Sequence, residues 1–324
     1  MKVLVTGGLG YLGSIIVPKL IERKFDVRIL DSMIYGNSLT EKGHLELVQG
    51  DIRNLKLLDR VTDDVDAVIH LAGIIGDAAA DLDRELTISV NYLATRQLAE
   101  ICRKKSLKLI FSSTCSVYGA KPGEAVTEKS KIAPLSLYAM SKLLAEEAIR
   151  KQCKDYTVFR LGTLFGFSPR MRFDLVVNLF TAQAIQERKI TVYGGPQRRP
   201  FVHLQDIAEL FIKALNSGEN GIYNFGGTNY QILNVAEKIK SKVECSITIF
   251  SDLKDPRDYA VDSSLAEETF GFKPARDIDF CVNEISGAYA QGIIKNYKET
   301  KFNNAEWLSR IWNQECLLQD QRES

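Results

Sequence analysis

Two short patterns in this 324-residue chain have the residue types and spacing to do chemistry. Tyr138 and Lys142 stand four residues apart, which on a helix places them one turn apart on the same face. A phenol with an ordinary pKa of about 10 is a poor base at neutral pH. A neighbouring ammonium favours the phenolate. The pair then suits removal of a proton from an alcohol whose carbon gives up hydride. The second pattern is Gly7-Gly8-Leu9-Gly10-Tyr11-Leu12-Gly13, in which Gly7, Gly10 and Gly13 form a GxxGxxG loop. In such a loop one glycine permits a tight turn, another lets the backbone approach a pyrophosphate, and the third lets helix and strand pack closely. The following helix turns unpaired N–H groups and a positive dipole end toward the phosphates. Asp31 stands at the end of the next expected strand. A carboxylate there accepts hydrogen bonds from the adenosine ribose hydroxyls and repels a 2′-phosphate. Ser32 and Met33 bring no compensating charge, so NAD is favoured over NADP.

Such groups need elements to hold them. Residues 2–6 form a short β-rich run, and 11–23 read as a helix with Leu12, Ile15, Ile16, Leu20 and Ile21 on one side. Further strands are expected at 26–30, 45–49, 67–71, 107–112 and 157–161. Long helices are expected at 82–104, with Ile88, Tyr92, Leu98 and Ile101 on apolar faces, and at 134–153. This alternation predicts an α/β fold with a Rossmann doubly wound parallel sheet over residues 1–165. Beyond residue 165 the pattern is interrupted at Gly166, Pro169, Gly194, Gly195 and Pro196. Residues 206–216 read as a helix capped by Asp206, and 221–225 as a strand, so segments near 200–228 are expected to return to the sheet. The rest of 166–324 predicts a smaller, discontinuous substrate-binding lobe and a tail. In that tail Trp307, Leu308, Ile311, Trp312 and Leu317 fall at the spacing of a packing helix.

Composition bounds the answer. A hydrophobic content of 45% and a charged content of 26% suit a soluble globular enzyme with a large core. A formal net charge of +1 provides no global field toward nucleic acid or a membrane, which leaves phosphate recognition to local basic clusters. Cys102, Cys115, Cys153, Cys245, Cys281 and Cys316 show neither CxxC pairing nor metal spacing, so reduced thiols in the cytoplasm are expected. His70 and His203 read as structural, with no carboxylate spacing for a metal. Met1-Lys2 runs directly into Val3-Leu4-Val5, leaving no room for a signal peptide, and no apolar run reaches the roughly 18 residues of a membrane span.

With these residues in view, the chain resembles the extended short-chain dehydrogenases, and among them the NAD-dependent nucleotide-sugar epimerases and dehydratases such as the UDP-glucose 4-epimerases. Thr6 to Gly13 resembles their cofactor loop. Gly50-Asp51-Ile52-Arg53 is similar to the segment whose Asp meets the adenine, and His70-Leu71-Ala72-Gly73 to the strand end beneath the cofactor. Asn91 opens a segment like the family's Asn-containing helix. Phe111-Ser112-Ser113-Thr114 resembles the strand that delivers the catalytic Ser or Thr, and Arg160-Leu161-Gly162 the strand facing the nicotinamide. The resemblance implies that Thr114 shares the sugar oxygen with Tyr138 and that Lys142 also holds the nicotinamide ribose. Arg199, in Arg-Pro-Phe-Val-His, resembles the family Arg that grips the substrate's pyrophosphate, for which a guanidinium fork is well shaped. Arg257, in Asp-Pro-Arg-Asp-Tyr, resembles a second phosphate Arg, where the family more often has Arg-Pro-Gly-Asp. Arg170 and Arg172, in a basic loop, are implied at a phosphate or the sugar, and Asn178 beside the substrate. A homodimer through 82–104 and 134–153 is a further implication.

The family's reactions are then separable by residue. A 4,6-dehydratase carries Asp-Glu directly after its catalytic Thr; this chain has Cys115-Ser116, which argues against dehydration. A ketoreductase usually draws on NADPH, which Asp31 disfavours. A 4-epimerase oxidises C4, lets the keto-sugar turn, and re-reduces it; it needs Thr114, Tyr138, Lys142 and retained NAD. A net C4 dehydrogenase needs the same residues. The expectation is an NAD-dependent nucleotide-sugar epimerase first, net redox at C4 second, and a non-catalytic dinucleotide sensor third.

Overall fold

The computed structural model describes residues 1–37, 39, 44–252 and 257–323, with side chains described for these except 124 and 314–323. In chain order the first part runs β1 (Lys2–Thr6), α1 (Gly13–Glu22), β2 (Asp26–Asp31), β3 (Leu45–Gln49), α2 (Leu55–Val61), β4 (Ala67–His70), α3 (Asp77–Leu82), α4 (Arg84–Ile88), α5 (Thr95–Lys105), β5 (Lys108–Thr114), β6 (Lys121–Val126), α6 (Leu137–Gln152), β7 (Tyr156–Leu161) and β8 (Thr163–Phe165). It continues with α7 (Val176–Glu187), β9 (Lys189–Tyr193), β10 (Arg198–His203), α8 (Leu204–Leu215), β11 (Gly221–Phe225), β12 (Thr228–Gln231), α9 (Ile232–Lys240), β13 (Ser246–Phe250), β14 (Tyr259–Val261), α10 (Ser264–Phe270), α11 (Ile278–Ala290) and α12 (Asn304–Glu323).

Seven strands pair in parallel in the order β11-β7-β5-β4-β1-β2-β3. The central strands are apolar on both faces because helices cover both; Val3, Leu4, Val5, Val68, Ile69 and Ile110 have no exposed surface. The strand order reverses direction at β1, and ligands of such sheets bind at that crevice, beyond the carboxyl strand ends. Thr6, Asp31, His70, Thr114 and Leu161 all end strands at that edge. β11 places Gly221–Phe225 on the sheet beside β7. Smaller sheets, β12-β10-β8, β13-β9 and β14-β6, build the remaining half with α7, α9 and α11.

Local chemistry shifts several expected boundaries. The helix expected at 82–104 is interrupted: Asp83 is extended (φ −142°, ψ 102°) and its side chain caps α4 by accepting from Leu86 N–H. Residues Ser89–Ala94 then widen into a π-helical turn before α5 resumes. The helix expected at 206–216 starts earlier, and its cap is His203, whose ring accepts from Gln205 N–H. Asp206 is instead fully buried within the first turn, where it ion-pairs with Arg276 and accepts the N–H groups of Ala275 and Arg276. α2, capped by Asn54, escapes a reading by pattern because a seven-residue helix carries too little periodicity. α12 bears the expected apolar face, with Leu308 and Trp312 packed on Ile74, Ala79 and Ala80; the side chain of Leu317 lies outside the described residues. Among the described residues no helix is long and apolar enough to cross a membrane.

Candidate active site

One cavity of about 1330 Å³ opens at the carboxyl edge of the sheet. A pocket for one drug-sized ligand is roughly 300–1,000 Å³, so this one has room for two. Of the residues expected at the cofactor, all but Asn91 and Lys142 line it. The glycine loop forms its floor. Gly7 has φ +72°, and a Cβ there would stand 2.6 Å from Ala72 N; a Cβ on Gly13 would strike the carbonyl oxygen of Gly7. The loop therefore lies flat against β4 and leaves the N-terminus of α1 open to the cavity, as a pyrophosphate requires. Asp31 accepts N–H groups from Leu9 at 3.0 Å and Met33 at 2.8 Å, and burial raises its pKa. It borders the cavity with Ser32 beside it and presents a carboxylate at the ribose position. These features fit NAD.

Asn91 works from behind the wall. Its amide accepts from Ile74 N–H at 2.8 Å and donates to Ile74 O at 2.9 Å, fixing the loop after β4. Thr95 Oγ1 donates to Asn91 O, so it accepts from His70 Nε2; His70 Nδ1 then accepts from Thr6 Oγ1 at 2.7 Å. Burial drives the pKa of His70 down to about 3, so the ring is a neutral strut under the cofactor loop.

Tyr138 and Thr114 line the same cavity, with the Thr114 hydroxyl near enough to act on the phenol. Burial pushes the Tyr138 phenol up. The charge of Arg172 and the Thr114 contact pull it back, while the charge of Asp77 raises it further. Lys142 is one turn along α6, but its ammonium turns inward, donating to Ser112 O at 2.8 Å above the Phe111 ring. Burial lowers its pKa to about 7. Arg172 adds its charge to the surroundings of Tyr138, while the Lys142 ammonium is engaged by Ser112 O. Arg172 is clamped by Asp174, through Nε at 2.9 Å and Nη2 at 2.8 Å.

Arg170 and Arg257 also line the cavity, the latter paired with Asp77 at 2.8 Å; residues 255 and 256 of the Arg257 segment lie outside the described residues. Asn178 and Arg199 do not line it. Asn178 is fully buried and binds Gly166 N–H, the Tyr11 hydroxyl and Arg172 O. Arg199 is buried against Tyr259, its guanidinium 5.6 Å from that ring, so it backs a wall residue. Tyr35, Asn304 and Trp312 line the cavity without any motif that marks them, and Tyr259 lines it at the end of the Arg257 segment. Only the apolar spacing around Trp312 hints at a packed face. Among the described residues no cluster of His, Cys, Asp and Glu could hold a metal.

The sequence model of the NAD dependent epimerase/dehydratase family matches residues 3–226. A putative UDP-glucose 4-epimerase of Methanocaldococcus jannaschii is 31% identical, over 85% of this chain and 94% of its own length. UDP-glucuronic acid decarboxylase 3 of Arabidopsis thaliana is 28% identical, over 85% of this chain and 84% of its own. The crystal structure of the Thermus thermophilus UDP-glucose 4-epimerase in complex with NAD superposes with a TM-score of 0.77 at 25% identity, covering 89% of this chain and all of that one. Fold, glycine loop, Asp31 and these likenesses agree: the chain is an NAD-dependent enzyme of the epimerase/dehydratase family.

Proposed function

We propose that the enzyme is a nucleotide-sugar 4-epimerase in which Tyr138 is the base. The observation that carries the reading is the pair of hydroxyls, Thr114 and Tyr138, facing the cavity with no acid–base carboxylate on the segment that follows Thr114. Cys115 is fully buried and its thiol donates to Arg160 O, and Ser116 offers only a hydroxyl. The Asp77 carboxylate is engaged by Ser136 and Arg257. Such a site supports oxidation and re-reduction at one carbon better than removal of water.

Bound along the glycine loop, NAD supplies the acceptor and donor of hydride. Tyr138 takes the proton of the C4 hydroxyl, and Thr114 holds the same oxygen. Arg172 favours the phenolate through its charge, and burial keeps bulk water from competing. Lys142, whose pKa burial lowers to about 7, is placed one turn away to hold a ribose hydroxyl. Residues from 166 onward are the sugar-nucleotide lobe in this reading, with Arg257 exchanging Asp77 for a phosphate oxygen when substrate binds. Two copies pair through α5 and α6, where Met140 stands 42% exposed. Light scattering during size-exclusion chromatography tests that pairing.

The decisive experiment incubates the purified enzyme with UDP-, GDP-, CDP- and dTDP-sugars and follows the products by NMR. A C4 epimer formed without added cofactor supports the proposal. Stoichiometric NADH together with a keto-sugar overturns it in favour of net oxidation at C4.

A further inference from the structure

The family resemblance implies Arg170 at the substrate, but its surroundings point elsewhere. It is 6% exposed and lines the cavity. Its guanidinium lies on Tyr35, 3.7 Å from the ring centroid, and donates to Asn304 Oδ1 at 2.6 Å and to Met171 O at 3.4 Å. All of these direct partners are neutral; the nearby Asp174 carboxylate is clamped by Arg172, also accepts Asn304 N–H, and acts on Arg170 only through its charge. A buried cation held only by neutral groups is costly unless an anion joins it.

The position of the loop says which anion. Two residues earlier, Ser168 donates to Tyr11 O at 2.9 Å and bonds Ser14 Oγ at 2.7 Å, so this stretch is stitched to the glycine loop and the first turn of α1. Tyr35 follows Asp31 on the cofactor side of the cavity. The glycine loop itself offers N–H groups and a helix dipole but no full positive charge. We propose that Arg170 grips the pyrophosphate of NAD, and that Asn304, the first residue of α12, positions it for that contact.

The C-terminal helix then straps the dinucleotide. Asn304 also donates to Ile75 O at 3.1 Å, and Trp307 Nε1 donates to Ile34 O at 2.8 Å, so the start of α12 is tied to the loops on both sides of the cavity. Leu308 and Trp312 pack over Ile74 and Tyr35. The inference rests on NAD occupying this cavity and not on the reaction assigned above.

Calorimetric titration of dinucleotide-free protein with NAD, ADP-ribose and UDP tests it without any turnover. Arg170→Ala weakens NAD and ADP-ribose alike by roughly 10- to 100-fold, the range of lost charge-assisted hydrogen bonds, and leaves UDP unchanged. Arg170→Lys recovers part of the loss. Asn304→Ala weakens both dinucleotides less, through a faster off-rate, and Asn304→Asp weakens them more by neutralising Arg170. If Arg170→Ala fails to fold, the Lys and Asn304 variants carry the same comparison. Unchanged NAD affinity in these variants, or a loss confined to UDP, overturns the proposal and returns Arg170 to the substrate.

Discussion

Tyr138 illustrates how position in space outweighs spacing in sequence. The Tyr-x-x-x-Lys pattern was legible because both residues share one helix face, and the cavity was marked by the glycine loop and Asp31. The charge that Arg172 brings to the phenol's surroundings from the other half of the chain was not legible, nor was the turn of Lys142 toward Ser112. Tyr138→Phe is expected to lower turnover by roughly 10²- to 10⁴-fold while NAD affinity stays within about twofold, checked by single-turnover kinetics and titration. Lys142 makes a pH prediction. Its folded pKa of about 7 lies below the ordinary 10.5, so the unfolded chain binds the extra proton between those values. Its contribution therefore rises as pH increases from about 7 to 10.5 and is least favourable below 7. Melting curves across that range should show this slope in the ligand-free enzyme and lose it in Lys142→Met.

At the scale of elements, breaks in regular structure prove as informative as the elements. The π-helical turn at Ser89–Ala94 rotates Asn91 onto the loop after β4, where both its amide groups hold Ile74. A reading by apolar periodicity sees one helix there because the flanking turns keep the period. Asn91→Ala leaves Ile74 N–H and C=O buried without partners. A loss of about 1–3 kcal/mol is expected in urea unfolding, together with weaker NAD binding. Behind the site, Glu146 on α6 receives the Arg160 fork from β7 and the Ser113 hydroxyl, all nearly inaccessible to water. Glu146→Ala strands a buried guanidinium, and denaturation should reveal a cost of about 3–5 kcal/mol. Neither partner's role was legible, since the pair joins elements whose contact depends on strand order.

For the whole molecule, the parallel sheet and its crevice followed from strand–helix alternation over the first 161 residues, which fixes a doubly wound order even where strands such as β1 and β4 pair across many residues. The second half was legible only in pieces, because its small sheets join distant strands such as β6 with β14 and β9 with β13. Docking of α12 was likewise beyond reach: an amphipathic stripe states that a face is covered but not by what. The seam between the halves has its own consequence. Tyr11, on the glycine loop, donates its hydroxyl to Gly166 O and receives the amide of Asn178, which also holds Gly166 N–H and Arg172 O. One buried knot thus ties the dinucleotide floor to the strand end and loop that open the second half. Loosening either half breaks hydrogen bonds belonging to the other, so the two should melt as one cooperative unit. A scanning calorimeter should record a single transition in the parent enzyme, shifted as a whole by NAD, and a broadened or divided one in Asn178→Ala.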